Sequence, residues 1–373
     1  MSGGSPGGAL GDGVLIPPNA SDARAKAGSP KPQLSLLALD DSRWTEFVAS
    51  CAAATPFHHP AWAGVLADTY GFRPFVLAMA AADGRPLAGA PFIEVRTLTR
   101  RRRWISLPFT DRCPPLSLDA ASEHRLLYLL SRARGRLDAP PIEVRSSVVA
   151  SAWAASASAV LHVLELDQDL ERLRRRFSRS QVIRNIKRAE REGVTVRAAT
   201  SRDDLDAFYA LHLRTRRRQG VPVQPYRFFE LLWTRMIRVG LGSILLASSD
   251  GAPLAGALFL NWNQATVYKF GASDPEGWPR RPNHALFWAA IQAAVGRSDR
   301  WFDFGRSDLD NSGLRAFKSS WGAEERPLVY SSCAGEPNGA GLSKRVLATA
   351  IRRGPPWLCR RLGESFYRYG ATR

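Results

Sequence analysis

The chain has 373 residues, 45% of them hydrophobic, and its 52 Lys and Arg against 34 Asp and Glu give a formal net charge of +18. This length exceeds one ordinary hydrophobic core, so two domains are expected. No apolar run approaches the ~20 residues that a membrane-spanning helix needs. The charge is typical of a protein that binds nucleic acid, an anionic lipid surface or a phosphate-bearing substrate, and equally of an Arg-rich proteome.

The N-terminal segment 1–33 is rich in Gly, Pro, Ser and Ala. It lacks the basic-then-apolar order of a signal peptide, so we expect a disordered tail and a cytoplasmic location. The cysteines stand singly at positions 51, 113, 333 and 359, and the six histidines form no HExxH motif. We therefore expect no metal site, and buried thiols in a reducing compartment.

Two similar segments indicate an internal duplication. Residues 77–93 read LAMAAADGRPLAGAPFI, and residues 244–260 read ILLASSDGAPLAGALFL. Each consists of an apolar run, an Asp-Gly turn and a second apolar run, which is typical of a β-hairpin. Helical patterns precede both segments, at 60–70, 203–218 and 227–239, and a third strand follows each, at 104–107 and 266–270. The sequence therefore predicts two copies of one α/β unit.

We place the first unit at residues 34–165 and the second at residues 166–333. After its third strand the second unit continues with a helix (283–295), a strand (301–304) and a helix (311–321). A strand–helix–strand order predicts a right-handed crossover and parallel pairing. The predicted fold class is thus α/β (α+β), with tandem units that each contain a mixed central sheet flanked by helices. The remainder, residues 334–373, is basic and interrupted by Pro355-Pro356, and we expect a solvated tail.

Seven short motifs lie along most of the chain: Thr55-Pro56-Phe57-His58-His59-Pro60-Ala61-Trp62, Ser106-Leu107-Pro108-Phe109-Thr110-Asp111, Arg184-Asn185-Ile186-Lys187-Arg188-Ala189, Tyr268-Lys269-Phe270-Gly271-Ala272, Pro282-Asn283-His284, Asp303-Phe304-Gly305-Arg306-Ser307 and Phe317-Lys318. Together with the order of the elements, these motifs resemble the GNAT acyltransferases, and more closely their two-domain FemAB-like relatives. Duplicated GNAT-like domains are the Fem-type architecture, so the resemblance and the repeat support each other.

The resemblance implies an enzyme that transfers an acyl group to an amine, from acyl-CoA as in GNAT enzymes or from aminoacyl-tRNA as in Fem enzymes. The second unit lacks the long helical hairpin of many peptidoglycan-bridging Fem enzymes. The GNAT pyrophosphate loop, Arg/Gln-x-x-Gly-x-Gly/Ala, corresponds here to residues 280–285, with Asn283 at a glycine position. Both donors therefore stay open. The implied acceptor is a small-molecule amine, an amino sugar or a cell-envelope precursor, and a tRNA partner and peripheral membrane contact also stay open.

The donor would bring phosphates, and residues 281–284 at the start of an apolar helix fit an anion site. Free N–H groups and the positive end of the helix dipole favour an anion there, and Arg281 adds charge. The alternative is a helix cap formed by Asn283, with the arginine in solvent. His284 is a candidate base or hydrogen-bond donor, or else a packed neutral histidine.

Asp303 and Arg306 belong to one short strand. Alternation places Asp303 on the face opposite Phe302 and Phe304. Buried and unpaired, this carboxylate would have a raised pKa and could act as a base; paired, with Arg306 as the nearby candidate, it would be structural. Arg306 lies at the carboxyl end of the strand, where α/β proteins contact ligands, and is a candidate for binding a phosphate or carboxylate.

Lys318 is the sharpest catalytic candidate. Leu314, Phe317 and Trp321 form a core-facing stripe on their helix, and Lys318 projects beside it. The resemblance at Phe317-Lys318 implies that Lys318 holds the donor carbonyl or its oxyanion and that Phe317 contributes to donor binding; the alternative is a solvated lysine. Tyr268 could protonate the leaving group or could be a core tyrosine.

Residues 180–192 form a basic helix that could bind an anionic substrate or RNA, or could be a solvated face. This segment and the net charge support the alternative function, a non-enzymatic binder of nucleic acid or of an anionic membrane surface. No Ser or Cys stands in an activated setting, so we predict direct attack of the amine on the donor.

Overall fold

The computed structural model describes residues 33–96, 101–137 and 139–333, together with residues 351, 352, 359, 363 and 367. Within these residues thirteen strands join in a single sheet. Their bounds are β1 Gln33–Leu37, β2 Pro74–Ala80, β3 Pro86–Arg96, β4 Arg102–Ile105, β5 Leu116–Ser117, β6 Ile142–Val144, β7 Trp153–Glu165, β8 Thr195–Ala198, β9 Gly242–Ser249, β10 Ala252–Trp262, β11 Ala265–Ser273, β12 Trp301–Asp308 and β13 Glu324–Cys333.

The described residues also form nine α-helices, which flank the sheet: α1 Ser42–Ser50, α2 Pro60–Tyr70, α3 Ala120–Leu137, α4 Leu170–Arg175, α5 Arg184–Arg191, α6 Arg202–Gln219, α7 Tyr226–Leu232, α8 Pro282–Gly296 and α9 Ser312–Ser319. π-Helical turns at Arg179–Ile183 and Trp233–Ile237 adjoin α5 and α7, and a 3₁₀ turn at Pro275–Arg280 precedes α8. In the described part of the chain, no helix combines the length and the apolar character needed to cross a membrane.

The strands follow the order β1-β2-β3-β4-β6-β13-β7-β12-β11-β10-β9-β8, with β5 paired to β3. Both predicted hairpins are confirmed, as β2–β3 and β9–β10, and β11 and β12 pair in parallel as predicted. The mixed α/β class is confirmed as well. The sheets of the two halves are however continuous, because β7 pairs with both β12 and β13, and β13 also pairs with β6. The unit boundaries at 34–165 and 166–333 stay predictions.

The two halves share one hydrophobic core on one side of the sheet. Trp62 of α2 and Phe228 of α7 meet edge to face, with ring centroids 6.1 Å apart, inside a cluster that draws residues from both halves. A second cluster on the opposite side packs α8 against the strands of the second half, with Phe287 at its centre. Burying apolar area on both faces fixes α8 and β11 relative to the first half.

The strands β11 and β12 separate after a short parallel ladder, and this separation creates the site. They pair over Ala265–Val267 and Trp301–Asp303 and then diverge. A register shift between β10 and β11 falls at Lys269, and Gly305 has a φ of 70°. A β-bulge and a left-handed residue redirect side chains, so both strands aim new groups into the gap.

Part of each predicted tail can be placed. Gln33 opens β1 and so is not part of a tail, while residues 1–32 lie outside the described residues. In the C-terminal segment, Ile351, Cys359 and Tyr367 are buried in the core shared by the two halves. The prediction of a solvated tail is therefore wrong at these positions. The apolar side chains recur at helical spacing, which the charge of the segment and its proline pair obscured.

Candidate active site

A cavity of about 250 Å³ opens where β11 leaves β12. It lies between the carboxyl end of β11, the first turn of α8, the helix α9 and the last turn of α6. Its lining consists of Thr215, Arg218, Gln219, Tyr268, Gly271, Ala272, Ser273, Asn283, Phe287, Leu314, Phe317 and Lys318. Four of the sequence-predicted site residues are thus brought together: Tyr268, Asn283, Phe317 and Lys318.

Tyr268 and Gly271 form one wall of this cavity. A Cβ added at Gly271 would overlap the hydroxyl oxygen of Tyr268, so this position admits only glycine while the tyrosine keeps its place. The ring of Tyr268 packs on Phe287 with centroids 4.9 Å apart, and burial raises the pKa of Tyr268 to about 12. Among the described residues its hydroxyl has no hydrogen-bond partner, so a protonated phenol borders the cavity.

The first turn of α8 forms another wall. The helix begins at Pro282, preceded by Arg281 in the left-handed conformation (φ 59°), and no side chain caps it. The alternative in which Asn283 is the cap is therefore wrong, because Asn283 lies one position inside the helix. Arg281 is half-buried beside this uncapped turn, with its Nε unpartnered within the described part of the chain. In this turn Pro282 has no N–H, and the His284 N–H donates to the Arg281 carbonyl at 3.0 Å. Among the described residues the Asn283 N–H is therefore the group left to meet an anion.

His284 is a packed histidine. Its ring lies 5.3 Å from that of Phe317 and stacks at 6.1 Å on Trp321, while Nδ2 of Asn185 lies 3.4 Å from its Nε2. Burial lowers the pKa of His284 to about 4, so it is neutral near pH 7. Since it does not line the cavity, it orients α8 on α5 and has no geometry for a base.

Lys318 is buried, with 1% of its surface exposed, so the alternative of a solvated lysine is wrong. Its Nζ donates to the carbonyl oxygens of Gly305 (2.8 Å) and Arg306 (2.9 Å). Burial lowers the pKa of Lys318 to about 8, and the carboxylates of Asp111 and Asp303 oppose this effect. An ammonium has three protons, so one remains for a group inside the cavity.

Asp303 lies on the other side of Gly305, on the face opposite Phe302 and Phe304 as predicted. Its Oδ1 accepts a hydrogen bond of 2.7 Å from the Gly305 N–H. The pKa of Asp303 is raised to about 6. Burial is the main cause, and the nearby carboxylate of Asp111 also contributes to the increase. The peptide units around Gly305 therefore join the two catalytic candidates, since the carbonyl binds Lys318 and the N–H binds Asp303.

The alternative in which Asp303 pairs with Arg306 is wrong. Arg306 instead donates two hydrogen bonds to one oxygen of Asp308, Oδ1, at 3.2 Å from Nε and 2.8 Å from Nη2. The left-handed residue at Gly305 turns the chain between the two side chains, so strand alternation alone misplaces Arg306. It lies outside the cavity, and its predicted role in ligand binding stays a prediction.

Two further functional candidates lie in the motifs quoted above, although no chemical role was predicted for either. Asp111, from the loop that follows β4, reaches across to the second half, where its Oδ1 pairs with Nζ of Lys269 at 3.2 Å. A Cβ built on Gly305 would lie 3.3 Å from Oδ2 of Asp111, which places this carboxylate directly beside Asp303. Lys269 is buried over the rings of Phe57 (5.2 Å) and Trp62 (5.6 Å). The continuous sheet and the packing of α2 on α7 bring these residues together, and no local pattern marks either.

The arrangement divides into two chemical halves. On the cavity side an ammonium and a phenol are placed to stabilise negative charge and to give a proton. On the Asp111 side two carboxylates are placed to bind a cationic amine and to take a proton. These are the groups that acyl transfer to an amine requires.

Outside this centre, the exposed side chains of Arg179, Arg184, Lys187 and Arg191 border a shallow groove on α5 and the turn before it. Its predicted role as a surface that binds an anionic substrate or RNA stays a prediction. Among the described residues, no group of three or more His, Cys, Asp or Glu side chains is placed to hold a metal ion.

Comparison with known proteins agrees with this geometry. Residues 176–319 match the family model described as an acetyltransferase (GNAT) domain. No curated protein sequence matches the chain.

The chain is similar in structure to FemX, with a TM-score of 0.63 and 16% identity over 80% of this chain and 96% of that one. It is also similar to L-PGS from Bacillus licheniformis (TM-score 0.52, 14% identity, 87% and 97% covered). A third similar structure is the C-terminal domain of a protein assigned as a lysylphosphatidylglycerol synthetase from Agrobacterium fabrum (TM-score 0.51, 15% identity, 83% and 94% covered). At these identities the structures show a shared fold. Residues 176–319 match a GNAT acetyltransferase domain, which supports an acyltransferase, and over most of its length the chain shares the fold of FemX.

Proposed function

We propose that the chain transfers an acyl group from acyl-CoA to the amine of an acceptor that is cationic in solution. The observation that carries the proposal is the cavity at the separation of β11 and β12, with Lys318 on its wall and the paired carboxylates behind Gly305. A non-enzymatic binder, the alternative raised by the charge, does not explain a buried lysine and a half-buried carboxylate that both bind the backbone of Gly305.

The donor fits the cavity side. The acyl-thioester end would enter the cavity beside Tyr268 and Gly271, and the pyrophosphate would lie on the uncapped first turn of α8 near Arg281. The side-chain amide of Asn283 would lie between the acyl end and the pyrophosphate of the donor. A cavity of about 250 Å³ holds the acyl end alone, so the nucleotide would remain at the surface. This arrangement favours acyl-CoA over aminoacyl-tRNA, since it needs no additional RNA-binding insertion.

The acceptor amine fits the carboxylate side. An ammonium would be drawn between Asp111 and Asp303, and Lys269 would turn the Asp111 carboxylate toward it. Asp303, with a pKa of about 6, is ionised at neutral pH but is more basic than an ordinary aspartate. It can therefore take a proton from the amine as the N–C bond forms.

The reaction proceeds by direct attack. The bound ammonium first releases one proton to water, and the neutral amine nitrogen then bonds to the thioester carbonyl carbon. The oxyanion that forms accepts a hydrogen bond from the remaining N–H of Lys318. Asp303 takes the second proton from the nitrogen as the N–C bond forms. Collapse of the intermediate then breaks the C–S bond, and the leaving thiolate takes the phenol proton of Tyr268. The phenol and the carboxylate are then restored by exchange with water.

The test is turnover with acetyl-CoA and longer acyl-CoAs against a panel of primary amines, followed by release of free thiol and by mass spectrometry of the acylated amine. We expect amine-dependent thiol release that is lost on Lys318→Met. A chain that binds none of the acyl-CoAs, or releases thiol without acylating any amine, would contradict the proposal.

A further inference from the structure

Glu143 occupies, in the first half, the place that Asp303 occupies in the second. The parallel ladder of β4 and β6 ends with the pair Ile105 and Glu143, and the parallel ladder of β11 and β12 ends with Val267 and Asp303. Each ladder is two or three pairs long and finishes on an acidic residue of its second strand. The register therefore makes the two acids structural counterparts.

The gap that opens after Asp303 is closed in the first half. Ser106 follows the last pair of β4, and its N–H donates to the Glu143 carbonyl at 2.9 Å. Its hydroxyl accepts from the Arg145 N–H at 2.7 Å and donates to the Cys113 carbonyl at 3.1 Å. These three hydrogen bonds join the ends of β4 and β6, so no gap that could hold an acyl donor opens between the two strands.

The carboxylate of Glu143 is held by two guanidinium groups. Nη1 of Arg103 lies 3.2 Å from Oε2, and Nε of Arg145 lies 3.1 Å from Oε1. All three side chains are buried, and breaking such a buried ion pair is costly. With a guanidinium group beside each oxygen, Glu143 is not available to a substrate amine, whereas among the described residues no such ion pair holds Asp303.

Arg145 connects Glu143 to the catalytic centre through Tyr330. The guanidinium of Arg145 lies on the ring of Tyr330, 4.3 Å from its centroid, and the Tyr330 hydroxyl donates to the Asp111 carbonyl at 3.1 Å. The Arg145 carbonyl also accepts from the N–H of Cys113, at the end of the same loop, at 3.0 Å. The loop between β4 and β5 that carries Asp111 (the Asp111 loop) is thus held at Asp111 and at Cys113 by contacts that start at Arg145.

We propose that Glu143, Arg145 and Tyr330 are positioning residues that fix the Asp111 loop beside Asp303. In this account the first half has no donor site of its own and instead supplies a carboxylate to the centre of the second half. The role of Asp111 toward the acceptor depends on the proposed function, but its fixation by Tyr330 does not.

The test is the pKa of the Asp303 carboxyl, measured by NMR titration of protein labelled with ¹³C at aspartate and assigned with Asp303→Asn. Asp303 is faced by Asp111 and Arg112 from the loop, by Lys318 from α9 and by Lys269 beyond Asp111 from β11. The variants leave all of these cations in place. Because the Asp111 charge raises the pKa of Asp303, Asp111→Asn should lower that pKa. The size of this decrease is the largest that losing or moving the Asp111 charge can cause.

Tyr330→Phe should also lower the pKa of Asp303, because the loop that carries Asp111 loses its hydrogen bond to Tyr330 and moves away from Asp303. Arg145→Lys, which keeps the charge but loses the planar stack, should do the same. The matched control is Tyr128→Phe, a half-exposed ring that also carries an arginine, Arg125, at 5.3 Å, and it should leave the titration unchanged. Melting temperatures would show that each variant is folded.

A Tyr330→Phe titration identical to that of the wild type would overturn the proposal, and so would an Asp111→Asn variant that leaves the pKa of Asp303 unaltered. The measurement needs no substrate, so absence of acyl transfer would sink the proposed function without deciding this result. If turnover is found, Tyr330→Phe should raise KM for the amine and lower kcat, with KM for acyl-CoA unchanged. A purely structural defect would not select the amine.

Discussion

Replacing Asp303 with Asn should stabilise the folded chain at pH 8 while removing most of its turnover. Asn has the same shape and still accepts the hydrogen bond from the Gly305 N–H, which is 2.7 Å long in the wild type. What changes is the charge. Burial and the neighbouring Asp111 make the carboxylate unfavourable in this position, and the variant no longer has to carry it.

The magnitude follows from the pKa. Asp303 is raised from 3.8 to about 6, and each unit corresponds to about 1.4 kcal/mol, so the folded carboxylate costs at most ~3 kcal/mol above pH 6. Because the side chain is half-buried and partly screened, we expect about 1–2 kcal/mol. A raised folded pKa means that the penalty is absent below about pH 4, grows as pH rises and is complete above pH 6.

The assay is urea unfolding of the wild type and of Asp303→Asn at pH 4 and pH 8. The free energy of unfolding of the variant should exceed that of the wild type at pH 8 and equal it at pH 4. Asp310→Asn is the control, since Asp310 is exposed and has no side-chain partner within the described residues. A variant that is less stable at pH 8, or one whose stability difference is the same at both pH values, would refute the reasoning. Wild-type kcat should rise as pH passes about 6, and Asp303→Asn should lose ~10²–10⁴-fold.

Two further predictions concern the residues on either side of the gap. Lys318→Met should lower kcat by about 10²-fold or more, because the oxyanion loses its ammonium, whereas the exposed Lys187→Met should keep wild-type turnover; equal turnover of the two variants would contradict the role of Lys318. Gly305→Ala should lower the free energy of unfolding by more than about 1 kcal/mol, since φ is 70° and the added Cβ would lie 2.8 Å from the Tyr268 carbonyl. Gly313→Ala, where a Cβ meets nothing within 4 Å, is its control, and a loss of equal size at both positions would argue against strain at the gap.

Local patterns account for the elements and for residues that belong to one strand or helix. The Asp-Gly turns predicted both hairpins, and alternation along β12 predicted the face on which Asp303 lies. Lys318 was identified as a candidate beside an apolar stripe, although nothing in that stripe showed that its amine would reach two carbonyls of β12. These features depend on periodicity within one segment, which sequence reports directly.

The features that sequence reasoning missed arise from tertiary packing. Asp111 reaches Gly305 because the two halves form one sheet through β7 and β13 and because Tyr330 of β13 binds the Asp111 carbonyl, and neither contact has a local signal. Arg306 was named as a candidate ion-pair partner of Asp303 because the two are close in sequence, but the left-handed Gly305 turns the Arg306 side chain toward Asp308. Such contacts depend on where distant elements meet, and no spacing within a motif records that.

The central claim is that acyl-CoA binds in the cavity walled by Tyr268 and Gly271. It is tested most directly by calorimetric titration of acetyl-CoA into the wild type and into Gly271→Ala, with Gly313→Ala as the matched control. The added methyl of Gly271→Ala overlaps the Tyr268 hydroxyl and must displace it into the cavity. We predict one equivalent bound by the wild type and the control, and at least tenfold weaker binding by Gly271→Ala. No binding to the wild type, or equal affinities for all three proteins, would contradict the account.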